Sequence, residues 1–507
     1  METTLQNRGM RLFQGSVLRT ISTFLKIIIG FFMLPFLIHN LGDKTYGLWV
    51  LVMSFMSYYT LLRMGLSGAV ARYLSQAVGK KNEHEMSLIA STSFFIYLGI
   101  SIIMILVTLL LIFFGTSLFG NIGQYNASLF KILILILGLN TALAPPFSVF
   151  GAVLVSHLKY NVGEIINIVH LIILNASIIL FISLGKGLIY IALSYFISNT
   201  ARSIFIYFYI KKKHKEVTIK FSLFDKNKFK ILFSFSFYSF ISQLAETLRF
   251  KLDTVIITIF IGLAAITHYT VASSVILYFT LFITSTIGVF GGYVSQEEGR
   301  GDFNSIRDKF TFINKLNTYI CVFVGISIII YGKVFIQRWM GIDYINSYTL
   351  LVILTIPSII YLSQFTSATV MYGLSKNKFL ALTNFIEGLL NVIISIILIK
   401  KYGLIGVALG TAIPMFVIKF FIQPIYINKI LKMKLGNYYI KFFKNLALPT
   451  LILGIYFLIV RKFVTPSYFI LIVLVAVQIL FFLFAIYYIG FNKEKRKLLL
   501  SFISKSA

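Results

Sequence analysis

The sequence predicts an all-α membrane protein with about fourteen transmembrane helices, arranged as two parallel six-helix repeats and two C-terminal helices. Composition, a series of apolar segments and an internal repeat support this fold class. Of the 507 residues, 58% are hydrophobic and 12% are charged, whereas soluble domains are roughly 45–50% apolar and about 25% charged. This composition excludes a soluble enzyme, a nucleic-acid-binding protein and a single-span receptor.

The apolar segments can be placed one after another along the chain. Each is near or above the roughly 20 residues that a helix needs to cross a bilayer. Boundaries taken from sequence are good to within a few residues. The predicted spans lie near 14–38, 46–67, 88–114, 129–150, 162–184, 187–210, 231–261, 266–293, 312–331, 347–371, 379–399, 402–427, 446–463 and 467–490.

Lys and Arg residues are concentrated in alternate loops. With a cytoplasmic N-terminus, about 30 of the 46 fall in cytoplasmic segments and about 8 in the opposite loops. Positively charged loops stay in the cytoplasm, so both termini are predicted to be cytoplasmic. The basic run Lys211–Lys215 is interpreted as a topology anchor, and contact with lipid head groups is the alternative.

An internal repeat divides the chain. Tyr73–Asn82 matches Tyr293–Asp302, and Gly187–Leu193 matches Gly403–Leu409 at nearly the same offset. An even number of helices per repeat gives both halves one orientation, as in transporters that rock two lobes about a central site. The predicted organisation is an N-terminal lobe 1–210, a basic cytoplasmic loop 211–230, a C-terminal lobe 231–428, helices 13 and 14 in 429–490 and a basic cytoplasmic tail 491–507.

Signals for catalysis or cofactor binding are missing from the sequence. The single cysteine, Cys321, excludes a disulfide framework and a Cys-based zinc site. The six histidines have no metal-ligand spacing, and no phosphate-binding loop motif occurs. We therefore expect no catalytic residue, no cofactor and no metal, and a transporter rather than an enzyme.

Two motifs near the second span resemble a known family. The residues Leu-Gly-Asp-Lys-Thr-Tyr-Gly-Leu-Trp at Leu41–Trp49, followed by Gly65–Tyr73, are similar to the start of the bacterial Wzx-type polysaccharide or O-antigen repeat-unit flippases. This family belongs to the polysaccharide transporter branch of the multidrug/oligosaccharidyl-lipid/polysaccharide exporter superfamily. The six-plus-six layout with two additional helices also resembles it.

The resemblance implies a function and a location. Such proteins move undecaprenyl-diphosphate-linked oligosaccharide repeat units across the cytoplasmic (inner) membrane by alternating access, for O-antigen, capsule or lipopolysaccharide biosynthesis. The implied partners are the lipid-linked oligosaccharide, membrane lipids, a polysaccharide polymerase and a chain-length regulator.

Three alternatives remain open from the sequence. A multidrug or cation antiporter of the same superfamily would have a cavity dominated by carboxylates. A lipid II flippase for peptidoglycan precursors would share the fourteen helices and a cationic cavity. A membrane polymerase or ligase of surface glycans would usually carry a large extracytoplasmic loop.

Cations inside the predicted spans form the candidate binding site. Arg19, Ser22, Thr23 and Lys26 recur at helical spacing and share one face. Because a charge at the bilayer centre costs about 2.5–3.5 kcal/mol on insertion scales, this face should point into the bundle. A guanidinium matches phosphate oxygens in a bidentate fork, so contacts with the substrate diphosphate are expected. The predicted substrate-binding cations are Arg19, Lys26, Arg63, Arg249 and Lys251.

Salt bridges within the protein are the alternative explanation for these cations, and Arg19 and Arg63 could instead reach the cytoplasmic interface. Glu246 and Asp253 flank Arg249 at helical spacing, so they can pair with it. Three carboxylates, Glu246, Asp253 and Glu387, are the predicted groups that couple transport to a proton gradient. Hydrogen-bonded packing is the alternative role for them.

Overall fold

A computed structural model describes residues 2–63, 65–115, 124–288, 290–374 and 376–490, and this part of the chain contains helices but no β-strand. For residues 2–13, 15–16, 124–125, 235, 237–239, 241–243, 245–246, 248–251, 292, 296 and 377 it describes the backbone only. The α-helices are α1 Glu2–Leu41, α2 Asp43–Leu62, α3 Leu66–Gly79, α4 Glu83–Phe114, α5 Gln124–Ser156, α6 Tyr160–Ser183, α7 Leu188–Lys213, α8 Lys226–Phe260, α9 Leu263–Ile287, α10 Phe290–Arg300, α11 Phe303–Trp339, α12 Ser347–Ser363, α13 Phe365–Gly373, α14 Asn377–Tyr402, α15 Leu404–Val417, α16 Gln423–Ile430, α17 Leu435–Val460 and α18 Tyr468–Ala485.

The helices confirm the predicted fold class. Among the described residues, thirteen segments are long and apolar enough to cross a membrane, and they correspond to every predicted span except the seventh. Helix α8 occupies that seventh position. Its 35 residues extend about 50 Å at 1.5 Å per residue, which exceeds the roughly 30 Å of a hydrocarbon core.

One predicted span extends too far along the chain. The span 46–67 was expected to be continuous, but α2 ends at Leu62. Gly65 has a left-handed φ of 67° and turns the chain into the short helix α3, a conformation that glycine adopts without a Cβ clash. Apolar side chains continue through this turn, so hydropathy alone does not reveal it.

The two copies of the first sequence repeat end in equivalent helix caps. Asn82 Oδ1 accepts a hydrogen bond of 2.9 Å from the backbone N–H of Glu85 at the start of α4. Asp302 Oδ1 accepts one of the same length from the N–H of Ser305 at the start of α11. Both residues satisfy a helix N–H that lacks a partner within its own helix. The repeat is therefore a repeated helix-turn-helix unit, α3–α4 and α10–α11.

The chain divides into two compact units, Met1–Thr267 and His268–Ala507. In the first unit, α5 packs against α2, α3, α4 and α7, while α1 packs chiefly against α6. Helix α8 follows the basic loop, yet it packs against α2, α3 and α4 and belongs to this unit. In the second unit, α12 packs against α11 and α15, and α14 lies against α15.

The C-terminal helices α17 and α18 are attached to the second unit through α11. Tyr319 and Val322 of α11 share a buried apolar cluster with Leu453 of α17 and Phe482 of α18. A hydrogen bond also joins α18 to α11, in which Gln478 Nε2 donates to Ser327 Oγ at 2.9 Å.

Two glycines let α14 and α15 approach closely. A Cβ at Gly406 would collide with the backbone of Leu398, and one at Gly410 would collide with Ser395. Small residues four apart on one helix permit this kind of backbone contact between membrane helices. The close approach brings the polar face of α14 against α15.

The Tyr-Gly-Leu-Trp motif of α2 is a packing element. Residues 46–49 are all buried, and the Trp49 ring lies 5.4 Å from the Tyr195 ring of α7. A Cβ at Gly47 would overlap the backbone carbonyl of Leu263 at the start of α9. The glycine is therefore required by the contact between α2 and the beginning of α9.

Replacing Gly47 with alanine tests this contact. Because the overlap is with backbone, we expect Gly47→Ala to lower the free energy of unfolding by about 1–3 kcal/mol. The measurement is the thermal unfolding midpoint of the protein in detergent. Gly99→Ala in α4 is the matched control, since nothing lies within 4 Å of its added Cβ. Equal midpoints for the two variants would contradict the packing role.

Candidate functional site

Basic side chains on α1 and α7 lie around His170 of α6, and α6 packs against both α1 and α7. Lys26 of α1 and Arg202 of α7 are both within electrostatic range of the His170 imidazole on α6. The carboxylate of Glu164 is within range of Arg202 and accepts a hydrogen bond of 3.4 Å from Asn167. We call Lys26, His170 and Arg202 the basic cluster.

The basic cluster has unused hydrogen-bonding capacity. Lys26 is exposed, while His170 and Arg202 are half-buried. Arg202 Nε and His170 Nε2 are buried atoms without a hydrogen-bond partner in the described part of the chain. Leaving a buried polar atom unpaired costs about 1–3 kcal/mol, and more for a charged group. An anionic ligand with several acceptor oxygens would satisfy these groups.

An open cavity of about 380 Å³ lies along the same pair of helices, α1 and α6. Val17, Leu18 and Ile165 provide an apolar wall, and Gln14 and Asn161 provide polar groups. Asn161 Oδ1 is buried and has no hydrogen-bond partner among the described residues. The cavity can therefore accommodate a molecule with apolar and polar parts, and it lies on the same two helices as Lys26 and His170.

The charged residues of the predicted α1 face are exposed in the structure. Arg19 and Lys26 are exposed, and Ser22 between them is buried. Thr23 Oγ1 donates a hydrogen bond of 2.9 Å to the carbonyl of Arg19. An exposed side chain on a membrane helix faces either lipid or a water-filled space. The cost of a charge in hydrocarbon favours a water-filled space for both cations.

Arg63 lies at the C-terminal end of α2. Its guanidinium is half-buried and within electrostatic range of Tyr97 on α4. Its Nε is a second buried guanidinium nitrogen that lacks a hydrogen-bond partner in the described residues. Arg63 therefore resembles Arg202, since each has a buried N–H donor without an acceptor in the described residues.

The remaining site residues that were predicted for the first unit lie on α8. Asp253 is buried, 5% exposed, and within electrostatic range of Tyr58 on α2. The side chains of Glu246, Arg249 and Lys251 lie outside the described residues. Only the placement of their backbone within α8 is defined.

Glu387 is half of a buried ion pair in the second unit. Lys419 Nζ lies 3.3 Å from Glu387 Oε2, and the two side chains are 3% and 1% exposed. Lys419 Nζ also donates a hydrogen bond of 2.7 Å to Asn384 Oδ1 and lies 5.8 Å from the Tyr361 ring centroid. The lysine belongs to the π-helical turn Ile418–Ile422, and such turns frequently occur at functional sites.

Helix α14 presents a row of polar side chains to α15 and to the turn that follows it. Asn384 and Glu387 contact Lys419, and Asn391 Nδ2 donates a hydrogen bond of 2.8 Å to Thr411 Oγ1 of α15. All three contacts cross the interface that the glycines of α15 keep narrow. Glu387 is therefore a paired carboxylate within a polar layer.

Sequence reasoning missed three of these residues, His170, Arg202 and Lys419. Arg202 and Lys419 lie inside the predicted spans 187–210 and 402–427, so the signal that selected Lys26 applies equally to them. His170 carries no such signal, because a single histidine in a helix is compatible with ordinary packing. Its proximity to Lys26 and Arg202 depends on how α1, α6 and α7 pack.

The described helices form an all-α membrane-spanning fold with a buried ion pair between two of them, an arrangement that membrane transporters use. Residues 12–296 match a family described as polysaccharide biosynthesis protein. This match covers more than half of the chain, so the protein belongs to that family. The resemblance deduced from the motifs around α2 and α3 is confirmed.

Two relatives match over most of the chain. The chain is 22% identical over 417 residues to the uncharacterized membrane protein EpsK of Bacillus subtilis, with 80% of this chain and 81% of that protein covered. It is 22% identical over 428 residues to a putative O-antigen transporter of Shigella flexneri, covering 82% and 98% of the two chains.

A solved structure shares the fold. The lipid II flippase MurJ in an inward closed conformation has a TM-score of 0.73 and 21% sequence identity. The match covers 92% of this chain and 98% of MurJ. At this identity the likeness establishes the fold alone.

The buried ion pair can be tested by removing one partner and then both. We expect Lys419→Met to destabilise the protein by about 3–5 kcal/mol, because it leaves the Glu387 carboxylate buried without its counter-charge. The double variant Glu387→Gln with Lys419→Met should recover most of that loss. Unfolding midpoints in detergent measure both effects. A double variant that is less stable than Lys419→Met would contradict the pairing.

Proposed function

We propose that this protein flips undecaprenyl-diphosphate-linked oligosaccharide repeat units from the cytoplasmic to the outer leaflet of the bacterial inner membrane, for surface polysaccharide biosynthesis. Membership of the polysaccharide biosynthesis family supports the cargo class. The observation that carries the proposal is the basic cluster, whose buried nitrogens lack partners in the described residues. A diphosphate supplies the negative charge and the acceptor oxygens that the cluster requires.

Each cation has a proposed role in binding the diphosphate. Arg202 has a planar fork suited to two phosphate oxygens, and Lys26 acts as a point charge beside it. In this proposal Arg19 and Arg63 attract the same group at other positions along its path. Arg249 and Lys251 of α8 remain proposed substrate contacts on the basis of sequence.

The carboxylates are the proposed coupling groups. Protonation of Glu387 would remove its attraction to Lys419, because the neutral acid no longer balances the ammonium charge. The interface between α14 and the π-helical turn would then loosen, which is a means of linking proton binding to helix movement. Asp253 and Glu246 on α8 are the corresponding candidates in the first unit.

The alternative of a drug antiporter is less consistent with the charges. A cationic drug requires carboxylates, whereas the basic cluster contains Lys26, Arg202 and His170, with the carboxylate of Glu164 near Arg202. A lipid II flippase would use the same diphosphate chemistry. Its cargo must therefore be distinguished by experiment.

O-antigen or capsule assembly is the proposed setting, with both termini in the cytoplasm. A polysaccharide polymerase and a chain-length regulator are the proposed protein partners. The relative described as a putative O-antigen transporter supports this setting.

The test uses a deletion strain of the source bacterium and complementation. We expect lost surface glycan and accumulated lipid-linked repeat units in the deletion strain, with both reversed by the wild-type gene. Lys26→Ala and Arg202→Ala should each lower export by about tenfold or more, since a hydrogen bond to a charged group contributes about 1.5–3 kcal/mol. Arg202→Lys should fall between wild type and alanine, because it keeps the charge but not the fork.

Lys44→Ala is the matched control, because Lys44 is exposed at the start of α2, and it should export normally. Membrane levels of every variant are compared by immunoblot. Intact surface glycan together with new sensitivity to cationic dyes would favour the antiporter. Accumulation of peptidoglycan precursor in place of glycan units would favour the lipid II flippase.

A further inference from the structure

Three side chains from two separate loops meet at one end of the first unit. His157 lies in the turn between α5 and α6, and His214 and Glu216 lie directly after α7. Glu216 Oε1 is 3.0 Å from His214 Nδ1 and 3.5 Å from His157 Nε2. The two imidazole ring centroids are 4.0 Å apart. Burial is partial, with side-chain exposures of 17% for His157, 11% for His214 and 27% for Glu216.

The hydrogen bonds define which nitrogen of His157 carries the proton. His157 Nδ1 lies 3.0 Å from the carbonyl oxygen of Val153. A carbonyl oxygen can only accept, so Nδ1–H donates this bond. In the neutral ring Nε2 then presents a lone pair. That lone pair lies next to the carboxylate of Glu216, and two acceptors at this distance repel unless a proton or a metal ion lies between them.

We propose that His157, His214 and Glu216 form a binding site for a divalent transition-metal ion, with Zn²⁺ as the representative ion. All three ligand atoms lie within 4.8 Å of one another. In a tetrahedral zinc site with bonds of about 2.0–2.1 Å, neighbouring ligand atoms are roughly 3.3 Å apart. The distances from Glu216 Oε1 to His214 Nδ1 and His157 Nε2, 3.0 and 3.5 Å, lie on either side of this separation. Three protein ligands leave one coordination position for water or another ligand.

The surroundings match those of known metal ligands. A metal-bound histidine usually donates its second N–H to a carbonyl or carboxylate, which fixes the ring and its tautomer. The bond from His157 to Val153 is of this kind. With Nδ1–H donated to the carbonyl of Val153, Nε2 is the nitrogen of His157 that can bind a metal ion.

The loop that carries His214 and Glu216 is held in place along α4. Ser87 Oγ donates to the carbonyl of Glu216 at 3.1 Å, and the N–H of Thr218 donates to the same hydroxyl at 3.1 Å. Ser91 repeats the pattern with Thr218 and Lys220 at 3.2 and 3.1 Å. These bonds order the backbone at the ligands, so less entropy is lost when a metal binds.

Neighbouring lysines limit which cation can bind. Lys159, Lys213 and Lys215 flank the ligands in sequence and repel any divalent ion. Ions such as Mg²⁺ and Ca²⁺ bind mainly through charge and oxygen ligands, so the lysines should exclude them. Imidazole nitrogen binds Zn²⁺, Ni²⁺ and Cu²⁺ by coordination that tolerates this repulsion. Bound metal would join the start of the 211–230 loop to the α5–α6 turn.

The experiment measures binding by purified full-length protein in detergent, carrying an affinity tag without histidines. After chelator treatment, we expect isothermal titration with Zn²⁺ to show one saturable site per chain and Mg²⁺ to show none. Zn²⁺ should also raise the unfolding midpoint, because a ligand that binds the folded state stabilises it. Co²⁺ should give the visible absorption bands of a four-coordinate site. None of these readouts depends on the transported cargo.

Two variants separate the site from incidental binding. His157→Gln with His214→Gln should lose the titration signal, the Co²⁺ bands and the Zn²⁺-dependent shift. Its midpoint without metal and its elution volume show whether it folds. His84→Gln is the matched control, an exposed histidine at the start of α4, and should bind like wild type. Zn²⁺ binding that survives the double substitution, equal binding of Mg²⁺, or no saturable binding by wild type would each overturn the proposal.

Discussion

The absence of water in a bilayer core is the constraint on which the rest of this structure depends. Every backbone N–H and carbonyl there needs a partner within the protein, and helices provide one within each segment. The described chain accordingly contains thirteen long apolar helices and no strand. The same constraint applies to side chains, because an ionised group without a partner or water is costly at this depth. Charged residues inside the helices are therefore the most informative residues of the molecule.

The two units satisfy this constraint in different ways. In the second unit, Gly406 and Gly410 let α14 and α15 approach closely, and Glu387 is neutralised by Lys419 across that interface. In the first unit, the Nε atoms of Arg202 and Arg63 are buried without partners in the described residues. An internally neutral layer supports packing and coupling, whereas unsatisfied guanidinium donors support an anionic cargo. This contrast is the physical basis for the proposal that the diphosphate binds in the first unit.

The basic loop after α7 combines two roles. Its lysines explain why this part of the chain stays in the cytoplasm in the predicted topology. Its backbone is nevertheless ordered against Ser87 and Ser91 of α4. Beyond it, Lys228 of α8 forms an ion pair of 2.6 Å with Glu85. A loop that was interpreted from its sequence as a topology anchor is thus also an ordered segment that packs along α4.

The fold class, thirteen of the fourteen spans and the Tyr73–Asn82 repeat could be predicted from the sequence, because hydropathy and repeated residues are local signals. The sequence also selected Lys26 and Glu387, since a charge within an apolar run is visible without a structure. It could not show that Glu387 pairs with Lys419, that Lys26 and Arg202 both lie near His170, or that His157 meets His214. Those residues are far apart along the chain. Only the packing of whole helices, which depends on side-chain shape over many contacts, brings them together.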